Sequence, residues 1–135
     1  MTLDAFTLDP RLAADTSPVA DWPLCRALLM EDARYPWLVL VPRRPGLVEL
    51  ADLPPEDRSV LIDEILRAGS AVKSLLPQAK LNIGALGNLV PQLHIHVIGR
   101  VPGDPAWPGP VWGHSPAFPY DNDGRAARLA ALRGC

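Results

Sequence analysis

Cysteine is nearly absent from this chain. Only Cys25, in an apolar segment, and Cys135, at the terminus, are present, which makes no plausible disulfide framework, so a reducing compartment is expected. Basic excess is missing too. A formal net charge of −2 without any Lys/Arg-rich run argues against a partner that is a nucleic-acid polymer or an anionic membrane. No apolar run approaches membrane-spanning length, and the opening "MTLDAFTLDP" has no basic region followed by an apolar core, so the expected location is cytoplasmic. What survives these exclusions is a small anionic ligand held by locally aimed donors. Histidine is also scarce, with three in the chain, and this gives weight to where they stand.

At 135 residues the chain is expected to be a single domain, 1–135, large enough for a real core. Hydrophobic content of 48% against 21% charged residues is that of an ordinary globular protein rather than a disordered one. The first twenty residues show no clear period, although "LDPRLAAD" fits a short helical turn. "LCRALLME" (Leu24 to Glu31) and "WLVLVP" (Trp37 to Pro42) are short, apolar and separated by the proline-bearing "DARYP"; two strands joined by a hairpin-like loop fit them best, though "CRALLM" alone equally fits a helical turn. "LVEL" (Leu47 to Leu50) is too short to assign.

A helix is predicted from Pro55. Proline suits a first helical position, Glu56 and Asp57 put negative charge in the first turn, and Leu61, Ile65, Ala68, Val72 and Leu75 recur at helical spacing until Pro77. "KLNIGALG" and "QLHIHVIG" then read as two strands around a glycine-bearing loop. An irregular tail rich in proline and tryptophan, 101–120, follows the motif-bearing core of about 24–100, and a short helix from about Asp123 to Arg133 closes the chain. This order predicts an α+β fold, a mainly antiparallel sheet with one long helix packed on it.

The run "PQLHIHVIGR", Pro91 to Arg100, raises the functional question. In a strand, residues two apart share a face, so Gln92, His94 and His96 form one polar row opposite Leu93, Ile95 and Val97. A solvent-facing polar stripe is the bland explanation. A second explanation is a metal site on His94, His96 and His114, the remaining histidine; zinc needs three protein ligands in a catalytic site and four in a structural one, and neither cysteine is clustered with them. The third is nucleophilic catalysis, in which an imidazole nitrogen attacks phosphorus, holds it as a phosphoramidate, and a second group nearby manages the leaving oxygen's proton. Glycines in "GALGN" let backbone N–H groups approach phosphate oxygens closely.

"NIGALGNLVPQLHIHVIGR" resembles the signature of the histidine-triad (HIT) superfamily of nucleotide hydrolases and transferases, His-φ-His-φ-His-φ-φ with an asparagine and glycines upstream. "LLMEDARYPWLVLVPRRPG" resembles that family's strand, acidic residue, strand and basic turn, so the likeness covers most of Leu24 to Arg100. The resemblance implies a HIT-like fold, a homodimer, and hydrolysis or nucleotidyl transfer at a phosphorus adjacent to a nucleoside through a covalent intermediate on His94. Its substrate would be a purine nucleotide or nucleotide conjugate. Dinucleoside polyphosphates such as diadenosine tetraphosphate, nucleoside phosphoramidates and adenylylated conjugates all fit that description. No cofactor is required, and a divalent cation can accompany a polyphosphate.

The resemblance also assigns residues. His94 is the nucleophile and His96 positions the scissile phosphate. Gln92 stands where the first histidine of the triad sits, still offering a backbone carbonyl to orient the His94 ring, and Pro45 stands where many members carry an upstream histidine. These two departures leave a differently tuned enzyme and a catalytically weakened nucleotide-binding module both open. Asp32 resembles the acidic residue that binds ribose hydroxyls, against an ordinary turn role. Asn82, Gly87 and Asn88 resemble phosphate neighbours, against turn chemistry. Arg43 and Arg44 fit phosphate steering or a solvated pair, and Leu89 takes the place of a small hydroxyl residue. Trp107 and Trp112 fit core cover or a pocket edge, in the same chain or across a dimer; His114 reads as a surface residue.

Overall fold

The computed structural model describes residues 5–135. Among these residues five strands form one antiparallel sheet: β1 (Thr16–Asp21), β2 (Cys25–Met30), β3 (Trp37–Pro42), β4 (Lys80–Gly84) and β5 (Ile95–Arg100), in the order β1-β2-β3-β5-β4. β5 inserts between β3 and β4, so the two strands that precede it in sequence flank it in space. Every residue of β3 and of β5 is buried, as expected of central strands covered on both faces.

Helix α2 (Pro55–Leu75) is the long one, with proline in its first turn, Glu56 and Asp57 beside it and Lys73 in the last turn, all complementary to the helix dipole. Leu61, Ala68 and Val72 of the predicted stripe are buried, while Ile65 and Leu75 are half-buried against the same core. Within that core Glu64 carries a buried carboxylate that accepts from the backbone N–H groups of Leu24 (2.8 Å) and Cys25 (2.7 Å), tying α2 to the start of β2. The Cys25 thiol beside it has its pKa pushed up by burial and by Glu64, and both cysteines are free.

The opposite face of the sheet is covered by a different set of groups. Helix α1 (Pro10–Asp15) contributes Leu12 and the tail contributes Ala106, Val111 and Trp112, packed with Leu28, Trp37, Val39 and Ile98. Helix α3 (Asn122–Arg133) closes the chain, its N-terminus capped by Asp121, and begins one residue before the position read from the sequence.

Two regions had no strand or helix assigned from the sequence. "TSPVAD" is strand β1, although Pro18 and its polar neighbours hide the period; β1 lies at the sheet edge, where a missing N–H is tolerated, and its pairing with β2 shifts between Pro18 and Ala20. "LVEL" is no strand. It is a loop that runs into a 3-10 turn, Leu50–Asp52, and is anchored where the Leu47 carbonyl accepts from Leu93 N (2.9 Å).

Candidate active site

β5 begins at Ile95, so Gln92, Leu93 and His94 precede the strand rather than opening it. The two imidazoles nevertheless meet, with ring centroids 5.0 Å apart and planes at 70°. Both are buried, which removes the solvent-facing stripe as an explanation. They border a cavity of about 690 Å³ that is also lined by Asp32, Gly87, Asn88 and Trp112.

Hydrogen bonding sets the tautomer of each ring. His94 Nδ1 lies 2.7 Å from the Gln92 carbonyl oxygen; a carbonyl only accepts, so Nδ1 carries a proton, and in the neutral tautomer Nε2 is the lone-pair nitrogen. For His96 the assignment is reversed. Trp37 Nε1 donates to His96 Nδ1 over 3.0 Å, so Nδ1 is the acceptor and Nε2–H the donor. Burial, and then repulsion from His94, hold the His96 pKa down at about 4. At neutral pH His96 is therefore an uncharged hydrogen-bond donor through Nε2.

His96 is enclosed by indoles. Trp37 and Trp112 lie on it with centroids at 5.7 Å and 5.6 Å. Across the sheet Gly84 pairs with His96, and a Cβ there would come within 3.1 Å of the Trp112 ring; glycine on β4 lets the indole lie down. Trp112 comes from the tail of the same chain and lines the cavity in cis. Trp107 is turned elsewhere, stacking 5.9 Å from the Arg100 guanidinium.

Asp32 is buried at the end of β2, where Arg34 grips it through Nε (3.0 Å) and Nη2 (2.9 Å). The same guanidinium reaches Ser115 Oγ (2.7 Å) and the Pro116 carbonyl (3.0 Å), so the carboxylate at the cavity wall is linked to the tail. Sequence reasoning missed Arg34. Its only signal was a position two residues beyond an acidic candidate.

Other expected site residues lie apart from this cavity. Asn82 points its Oδ1 at Arg100 Nη1 (2.9 Å), an arginine buried in an ion pair with Asp104; Asn82 is engaged in the sheet rather than with a ligand. Gln92 turns its side chain toward the N-terminal segment, accepting from Asp9 N (2.8 Å) and donating to the Thr7 carbonyl (2.8 Å). Arg43 donates to the Trp22 and Pro23 carbonyls and Arg44 pairs with Asp57, which occupies both as supports of the turn before α2. His114 is exposed and bonds Ser115. Among the described residues no group of three His, Cys, Asp or Glu side chains could hold a metal ion, so the reading that joined His94, His96 and His114 in one metal site is corrected.

The HIT-domain family matches residues 11–103, well over half of the chain. This protein belongs to the HIT family. Three solved histidine-triad proteins superpose on it along nearly their whole length. A histidine-triad protein of Sinorhizobium meliloti is 44% identical with a TM-score of 0.92, covering 96% of each chain. One of Bradyrhizobium japonicum is 47% identical with a TM-score of 0.93, over 97% of this chain and 98% of its own. A third, from Marinobacter aquaeolei, is 45% identical with a TM-score of 0.94, over 97% and 96%. No curated protein matches. HIT proteins bind nucleotides and are generally nucleotide hydrolases or transferases, and the five-stranded antiparallel sheet with its helices is the HIT fold. Among the described residues, no helix of this HIT protein is long and apolar enough to cross a membrane.

Proposed function

We propose that this HIT protein binds a purine nucleotide in the cavity beside β5 and hydrolyses or transfers its nucleotidyl group through a covalent bond between phosphorus and His94 Nε2. The observation that carries this reading is the 2.7 Å bond from His94 Nδ1 to the Gln92 carbonyl, which makes Nε2 the lone-pair nitrogen of the neutral ring, and His94 lines the cavity. His96 Nε2–H is the partner donor for a phosphate oxygen, since its neutral state keeps it from competing as an ion with the substrate's counter-charges. The carboxylate of Asp32 supplies acceptors for ribose hydroxyls. Gly87, with φ of +73°, and Asn88 form the loop whose N–H groups face phosphate. Gln92 takes the place of the first triad histidine and serves through its main-chain oxygen. The chemistry draws on imidazole and needs no resident metal.

Incubation with nucleotide conjugates, read by mass spectrometry of the products, tests this. Wild type should release a nucleoside monophosphate, while His94→Ala should lose at least a thousandfold in kcat and keep nucleotide affinity within about threefold. Undiminished turnover by His94→Ala removes the covalent step. Nucleotide binding by wild type without turnover of any conjugate leaves a binding module in its place.

A further inference from the structure

A second cavity, of about 380 Å³, adjoins the first and shares Leu86, Gly87 and His94 with it. Its remaining wall is the turn before α2, with Val48, Glu49, Leu50 and Ala51, faced by Ala85, Gln92 and Leu93. That turn is held in place. Asp52 Oδ2 accepts from Val48 N (3.1 Å) and Glu49 N (2.8 Å), and Leu93 N bonds the Leu47 carbonyl, so the wall is fixed to the residue before His94.

The two cavities therefore flank one imidazole, and their linings differ. The first contains Asp15, Asp32 and the histidine pair. Apart from His94 and Gln92, whose amide is bonded to Asp9 and Thr7, the second is aliphatic with a single carboxylate, Glu49. Among the described residues, neither has a lysine or arginine in its lining, and the nearby guanidiniums are engaged: Arg11 with the Leu89 carbonyl, Arg34 with Asp32 and Arg44 with Asp57. A polyphosphate leaving group would bring further negative charge against Glu49 with no cation opposite, which Coulomb repulsion disfavours. An apolar group, uncharged or cationic, would bury its surface against Val48, Leu50 and Ala51.

We infer that the cavity between the 48–51 turn and His94 is the leaving-group site, and that it selects nucleoside 5′-phosphates carrying a bulky apolar, uncharged or cationic substituent over those carrying further phosphates. This rests on the nucleotidyl transfer proposed at His94. Nε2 of His94 forms a bond to phosphorus as the phosphorus–oxygen bond to the substituent breaks. The bonding pair leaves on that oxygen, which takes a proton from water. A second water then gives its hydroxyl to phosphorus and its proton to solvent, and the electron pair of the phosphorus–nitrogen bond returns to Nε2.

Three adenosine 5′-phosphate aryl esters of matched size, with a neutral, a trimethylammonium or a carboxylate substituent on the ring, test the assignment in wild type, Glu49→Lys and Ala51→Trp. Glu49 and Ala51 are exposed, so both variants should fold. Corrected for the intrinsic reactivity of each ester, wild-type kcat/KM should favour the cationic over the anionic ester by about tenfold, and Glu49→Lys should invert that order. Ala51→Trp, which fills the cavity, should lower kcat/KM for all three at least tenfold while the Kd for AMP stays within threefold. An unchanged charge preference in Glu49→Lys, or undiminished turnover in Ala51→Trp, overturns the leaving-group site and leaves the His94 reaction standing. Absence of turnover of every ester by wild type overturns both.

Discussion

The indole N–H of Trp37 on β3 donates to Nδ1 of His96 on β5 over 3.0 Å. Neighbouring strands bring the two together, and the bond determines which nitrogen of His96 carries the proton. Trp37→Phe keeps most of the packing and removes the donor. A neutral hydrogen bond of this kind contributes about 0.5–1.5 kcal/mol, so kcat should fall by roughly three- to tenfold, with a change in the imidazole nitrogen shifts of His96 by NMR. Unaltered nitrogen shifts would show that the indole does not set the tautomer.

The burial of neutral His96 has a consequence for stability against pH. Its folded-state pKa of about 4 lies below the ordinary 6.5, so between these values the unfolded chain binds a proton that the folded protein does not. Stability attributable to this group is present above pH 6.5 and falls as pH drops toward 4. The full effect is on the order of 3 kcal/mol. Glu31 and Asp104, whose pKa values are lowered chiefly by hydrogen bonds from Arg125 and Arg100, lose stability in the same direction but only below the ordinary carboxylate range. Urea unfolding of wild type and His96→Gln between pH 5 and 7 separates them: the wild-type slope should largely vanish in the variant.

Gln92 connects the carbonyl that bonds His94 to the N-terminal segment. Its amide accepts from Asp9 N and donates to the Thr7 carbonyl, two bonds that Gln92→Ala deletes together. The expected loss is about 1–3 kcal/mol of stability, with faster amide exchange at Asp9 and Arg11. Gln92→His places a titratable ring in the same spot and should alter both the stability and the pH–rate profile. Exchange at Asp9 unchanged in Gln92→Ala would remove the tie.

Asp32 is held by Arg34 before any ligand arrives, so Asp32→Asn is a better probe of sugar recognition than a deletion that frees the guanidinium. Charge-assisted bonds to hydroxyls contribute about 1.5–3 kcal/mol; binding of a ribonucleotide should weaken by about ten- to a hundredfold, and of its 2′-deoxy form by much less. Isothermal titration with both nucleotides provides the comparison. Equal losses would take Asp32 out of ribose recognition and leave it as an anchor for Arg34 and the tail.

Local pattern alone determined β3, α2 and the pairing of two histidines in one motif. "WLVLVP" is apolar throughout because both faces of a central strand are covered, and α2 carries its stop and start signals in its own residues. These features depend on neighbours a few positions apart, which a sequence displays directly. The family resemblance added the His94 and Asp32 roles and the carbonyl of Gln92. β1 stayed hidden because Pro18 breaks its pattern, and only an edge position, a property of the whole sheet, makes that proline acceptable. The tautomer of His96 needed a partner 59 residues away, the Gln92 amide needed ones 83 and 85 residues away, and Arg34 reaches Ser115 across 81. Strand order decides which distant residues meet, and strand order follows from how the apolar faces bury together rather than from any one segment, so the two cavities on either side of His94 exist only once the chain has folded.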